Sequence, residues 1–326
     1  MDEKLWQSLY EKILEGDIIK ILEVLFEYIT NEDIFANGWL KKICISLLLL
    51  AVLAGIFGAF LSSFQSKEVS KMSFFMIHIF LFSMLISLYS EMIKITKDVI
   101  NAVLVLMEGA IPIYYMAVAY SGNSLSAFTY YRVGILAIYV VEQIILHLIL
   151  PMVSCYMFIA FGKALYLETK LSVVSDFMKK AVSVLLKIIT VAISGISFLQ
   201  SMVSPMVDGV KSGSAGKVVS MIPGIGNVTE GLAELAVGSM ILVKNSVGLC
   251  VFLMLLITAA IPVIKLFVVA SLLKGCGALM AVIADKEFAN PVTDTSEAVG
   301  MLLKIVLTVL LLFMVSMAIV LFTTNA

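Results

Sequence analysis

Residues 247–273 read VGLCVFLMLLITAAIPVIKLFVVASLL, a run whose only charge is Lys265. As a helix rising about 1.5 Å per residue it reaches about 40 Å, more than the roughly 30 Å of a bilayer's hydrocarbon core. A segment apolar on every side needs either a protein wrapped around it or lipid. The whole chain answers which. Of 326 residues, 61% are hydrophobic and 14% charged, where soluble domains carry about 45–50% and roughly 25%. Folded in water, such a chain would expose large apolar patches. Collagen-like and disordered readings fail as well, because Pro (6) and Gly (20) are modest and apolar runs abound.

Working outward, further runs of spanning length lie at about 43–64, 72–90, 100–120, 181–203 and 301–323. The stretch 133–163, continuing apolar to 166, is interrupted by Pro151, so it is one long kinked helix or a span plus a re-entrant piece. The fold expected is therefore all-α, a polytopic integral membrane protein of about seven transmembrane helices, or eight if this stretch divides. Residues 1–40 are different. They hold nine acids against Lys4, Lys12 and Lys20, a net of −6 that leaves +5 for the rest of a chain of net −1. They are too acidic for a secretory signal. Leu5, Leu9, Ile13, Ile18, Leu22, Leu25 and Ile29 recur at helical spacing, predicting an amphipathic acidic region ahead of a transmembrane domain over 41–326.

The segment 204–246 is less regular. A small-residue stretch, Asp208 to Lys217, predicts a loop, and Ile222-Pro223-Gly224-Ile225-Gly226 is a turn signal inside apolar sequence. Asn227 with Glu230 three residues on makes a capping-box-like start for a short helix. Too short and polar to span alone, residues 222–243 are expected to form a re-entrant or interfacial helix. Glu230 and Glu234 share its face. Lys244, beside Asn245, and Lys265 are the nearest bases in sequence; the alternative is that Lys244 snorkels to the membrane surface.

Enzyme signatures are not found. Gly216-Lys217 looks like the end of a phosphate loop, but Lys211 stands where a glycine is needed and Val218 where Ser or Thr is. Gly224 and Gly226 lack the third glycine of a dinucleotide turn. His78 and His147 belong to no metal-ligand spacing, and Cys44, Cys155, Cys250 and Cys276 lie singly in or beside apolar sequence. No catalytic, cofactor-binding or metal-ligating set is expected, and the near-zero net charge gives no case for nucleic acid.

Ionisable residues inside apolar runs are the better candidates. Glu108, Glu142, His147, Lys187 and Lys265 are of this kind. A charge at the bilayer centre costs at least about 2.5–3.5 kcal/mol, so such groups face a partner or water. Lys187, near a span end, has snorkelling as its alternative. Glu142 and His147, about 140° apart on an α-helix, would not share a face. Pro112, Pro151 and Pro262 free the carbonyls of Glu108, His147 and Thr258. Helices broken beside polar groups are how many transporters build midplane sites, although packing kinks are the commoner cause. The second reading of function is accordingly a self-sufficient secondary transporter. Basic residues number eleven on the N-terminal side of a seven-span arrangement and six on the other, favouring a cytoplasmic N-terminus.

The stretch 222–273 carries more. Its Ile-Pro-x-x-Gly turn, acidic helix, Leu242-Val243-Lys244-Asn245-Ser246-Val247-Gly248 and span through Pro262-Val263-Ile264-Lys265 resemble the stage III sporulation protein AE family. Asp208-Gly209-Val210, Gly216-Lys217 and Phe35-Ala36-Asn37-Gly38 fit the same pattern. The resemblance covers roughly 20–326. It implies a non-enzymatic channel or secretion-like subunit in the mother-cell membrane around the forespore. Implied partners are other stage III membrane proteins, a forespore-side protein and lipid, with a second copy of the chain as a further one. The resemblance implies no catalytic residue, and it places the N-terminal region outside the cytoplasm, against the lysine count.

Overall fold

The computed structural model describes residues 67–120, 124–166, 169–219, 226–283 and 286–323, with a few helical positions between 45 and 56. Side-chain surroundings are described mainly within 75–120, 130–164, 171–199, 245–282 and 286–318. The acidic region 1–40, most of the run 43–64 and the turn at Pro223 and Gly224 lie outside the described residues, as do the side chains of Glu230, Glu234 and Lys244.

Every described element is helical. In chain order they are α1 (Lys67–Tyr120), α2 (Ser124–Val140), a π-helical segment (Val141–Ile149), α3 (Leu150–Tyr166), α4 (Thr169–Val219), α5 (Gly226–Ile283) and α6 (Lys286–Thr323). Five stretches among the described residues are long and apolar enough to cross a membrane: Phe75–Tyr120, Tyr130–Ala164, Leu171–Leu199, Asn245–Val282 and Lys286–Ala318.

Several boundaries differ from those the sequence suggests. Two spans with a loop near residues 91–99 are replaced by the single 54-residue α1. Met92, Thr96, Val99 and Val103 are buried while Glu91, Lys94, Lys97 and Asp98 are exposed, so the charged stretch is an amphipathic helical turn with a polar outer side. Helix α5 runs 58 residues without interruption, so the short helix expected to end near 243 continues into the apolar run. Lys244-Asn245-Ser246 contains no proline, and Gly248 alone costs a helix only about 1 kcal/mol. Helix α4 likewise continues to Val219 through the expected small-residue loop, since Ser, Ala and Gly weaken a helix without ending it. Helix α6 starts at Lys286 rather than near 301.

The described residues fall into two compact units. One takes those up to Val99, Leu148–Val184 and Ala260–Val306; the other takes Ile100–His147, Leu185–Ala259 and those from Leu307. In the first, Phe82 stacks on Phe161 with centroids 4.6 Å apart, and His78, fully buried, lies 4.4 Å from Phe288 with Nε2 3.4 Å from the Glu287 carbonyl. Gly277 of α5 admits α6 so closely that a Cβ would stand 2.6 Å from Thr293 Oγ1, the small-residue contact by which helices approach in lipid. In the second unit, Tyr114 and Tyr130 meet edge to face at 5.0 Å, and the hydroxyls of Ser197 and Ser316 lie 3.4 Å apart. Many hydroxyls donate one turn back along their own helix: Thr96 to the Met92 carbonyl at 2.9 Å, Thr190 to Leu186 at 2.9 Å, Thr258 to Met254 at 2.8 Å. That pattern satisfies a polar group without calling on a neighbouring helix.

Candidate functional site

The densest polar cluster is in the first unit, where α3, α4 and α6 converge. From α3 come Tyr156 and Lys163, seven residues apart and so on one face. From α4 come Ser175 and Lys179, one turn apart; from α6 come Asp294 and Glu297, at i and i+3. Each helix brings a short polar stripe to the convergence. Lys163 Nζ lies 3.5 Å from Asp294 Oδ2, Lys179 pairs with Glu297 Oε2, and the Tyr156 hydroxyl donates to that same Oε2 at 3.0 Å. The Lys179 ammonium also lies 5.4 Å from the centre of the Tyr156 ring, within cation–π range.

Burial is graded across the cluster. Tyr156 and Thr295 are fully buried and Ser175, Asp294 and Ser296 nearly so, whereas the Glu297 side chain is 44% exposed. Two acids against two bases leave the cluster neutral. Asp294 is the group that burial would penalise if Lys163 were absent, since its side chain is only 11% exposed. The flanking hydroxyls are committed: Ser296 donates to the Ala270 carbonyl of α5 at 2.7 Å and Thr295 to the Pro291 carbonyl at 2.7 Å. Chemically the arrangement compensates charge in apolar surroundings and fixes the register of three helices. Among the described residues no three His, Cys, Asp or Glu side chains converge as metal ligands.

The positions singled out in the sequence lie elsewhere. Glu108, Glu142, His147 and Lys187 are all exposed, so neither glutamate is enclosed by the described residues, where a buried polar contact or a wet cavity is the expectation. Lys265 and Pro262 are half-buried in continuous α5, and Pro112 lies within continuous α1. Asn245 is half-buried with its Oδ1 shut off from solvent, and like the hydroxyls of Tyr114 and Tyr130 that atom has no hydrogen-bond partner among the described residues. Gly226 opens α5. Pro151 lies just past the π-helical segment. There the i to i+5 geometry replaces the α-helical one, and His147 Nδ1 donates to the Glu142 backbone carbonyl at 2.7 Å.

The ion-paired cluster was legible in principle. Lys163 and Lys179 read as loop cations, and the stretch Pro291-Val-Thr-Asp-Thr-Ser-Glu297 reads as the approach to a span. The i, i+3, i+4 and i+7 spacings of acids, bases and hydroxyls are the signal that marks them as matching helical stripes.

The family model described as stage III sporulation protein AE matches residues 3–324. The chain is similar to the stage III sporulation protein AE of Bacillus subtilis (strain 168), 20% identical over 305 residues that cover 93% of this chain and 75% of the relative. No solved structure matches it. A match running through all the described helices, the ion-paired α3, α4 and α6 included, leads to one conclusion: the chain belongs to the stage III sporulation protein AE family.

Proposed function

We propose that this protein is a non-enzymatic membrane subunit of a channel or secretion-like complex that links mother cell and forespore and sustains late forespore development. It resides in the mother-cell membrane around the forespore, with other stage III membrane proteins and a forespore-side protein as its partners. The observation that carries the reading is the family match over residues 3–324, joined to five helices able to cross a membrane. The polar cluster supports it by its character: its charges are paired with each other, as in a helix-fixing element. Within this arrangement the part of α5 before Asn245 lies at the membrane interface, where an acidic face can stay wet.

Affinity capture of the full chain from sporulating cells of its host tests the reading. Recovery of other stage III membrane proteins together with a forespore-side protein is expected. Recovery of the chain without any of them would contradict it.

A further inference from the structure

Helix α4 carries a second polar feature, apart from Ser175 and Lys179. Asp176, Lys180, Ser183, Lys187, Thr190 and Ser194 follow one another at steps of three and four residues. At about 100° per residue they fall within an arc of about 80°, one narrow line along a continuous helix. Asp176, Lys180 and Lys187 are exposed, and the three hydroxyl residues are half-buried. The line is about 27 Å long, close to the roughly 30 Å of a hydrocarbon core. It lies within Leu171–Leu199, a stretch long and apolar enough to cross a membrane.

The two flanks of the line differ. On one side Val182, Leu186 and Ile193 are buried against the protein; on the other Val184, Ile188 and Val191 are exposed and suit lipid. Lipid does not suit the line itself. Lys187 stands nearer the middle of Leu171–Leu199 than to either end, so snorkelling does not account for it. Ser183, Thr190 and Ser194 are too short to snorkel at all. Among the described residues none of the three charged groups has an ion-pair partner. Charged groups at such depth face protein or a water-filled cavity. This line reaches from one edge of the core to the other, so water can enter it from both sides.

We infer that this face of α4 lines a water-filled path across the membrane, one that favours anionic solutes. The inference rests on the channel reading above and deepens it by naming a wall of the path. Two bases against one acid make the line net positive. Lys187 has no acid within seven residues on its own helix, so its charge is left for the solute, as basic rings serve in anion pores.

Cysteine accessibility in membranes of the sporulating host provides the test, in a variant without the four native cysteines. Ser183→Cys, Lys187→Cys, Thr190→Cys and Ser194→Cys are compared with Val184→Cys, Ile188→Cys and Val191→Cys. The probes are impermeant methanethiosulfonates, one anionic and one cationic. The first four positions should react at least tenfold faster than the last three. At Ser183→Cys, a near-isosteric change, the anionic probe should gain on the cationic one relative to their rates with a free thiol, and adding Lys187→Glu should lower that gain at least threefold. Line positions as slow as the flank, as expected if lipid or another protein covers them, would overturn the inference. So would seven positions reacting alike, as expected of a helix outside the membrane, and an unchanged probe ratio would overturn the preference for anions. Capture of partners from the same cells is scored separately: a labelled line on a chain recovered alone contradicts the complex and not the path, and an unlabelled line on a chain recovered with its partners contradicts the path alone.

Discussion

The hydroxyl of Tyr156 donates to Oε2 of Glu297 at 3.0 Å, across 141 positions of sequence, and Lys179 pairs with that same oxygen. A carboxylate shared by a phenol of α3 and an ammonium of α4 ties α6 to both helices. Its loss should therefore be felt as loosened packing. Tyr156→Phe removes the hydrogen bond and leaves Glu297, half-exposed and still paired, with a bearable deficit. The expected cost is about 1 kcal/mol, within the usual range for a hydrogen bond, read as a small drop in thermal midpoint of the purified chain in detergent.

Lys163→Met should cost more. It strands Asp294, whose side chain is 11% exposed, and removing one partner of a buried pair costs about 3–5 kcal/mol, here reduced because Lys163 is itself partly exposed. The Lys163→Met, Asp294→Leu double variant removes both charges and should recover most of the loss. Thermal unfolding of the two variants side by side checks this; equal destabilisation in both would show that the pair is not what the site depends on.

Gly277→Ala should destabilise by about 1–3 kcal/mol, the usual penalty for overpacking, because the new Cβ would stand 2.6 Å from Thr293 Oγ1 and that oxygen is held by the Ala289 carbonyl at 3.1 Å. Gly275→Ala is the matched control, two residues away on the same helix with nothing within 4 Å. It should be neutral or slightly stabilising, as alanine favours helix. The difference between their unfolding midpoints is the reading.

The continuity of α1 predicts a topology. A single helix over Lys67–Tyr120 crosses the membrane once, so cysteines at positions 68 and 125 should be labelled from opposite sides in a variant without the four native cysteines. Two spans joined by a loop would put both on the same side. Labelling of both by one impermeant reagent from one face would contradict the continuous helix.

Those boundaries show what sequence could and could not reveal. The apolar runs were plain: 100–120, 181–203 and 247–273 all lie inside observed helices, because predominantly apolar stretches of about twenty residues have few other fates. Their ends were not. Lys94, Lys97 and Asp98 have the composition of a loop, and only the burial of Met92, Thr96 and Val99 on the opposite side shows a helix passing through. The same ambiguity hid the cluster. Asp294 and Glu297 look like residues before a span, and their meaning depends on Lys163 and Lys179, more than a hundred positions away. Glu108 and Glu142 were conspicuous for being alone in apolar sequence, and alone is how the described chain leaves them. Nor could spacing foresee the π-helical turn in which His147 Nδ1 donates to the Glu142 backbone carbonyl.

The most direct test of the account is late forespore transcription in a sporulating host from which only this chain is deleted, followed with a fluorescent reporter after engulfment. The account predicts that engulfment completes, the reporter stays dark and spore yield collapses, with restoration by the intact gene product. Reporter activity and spore yield at the level of the undeleted strain would contradict it.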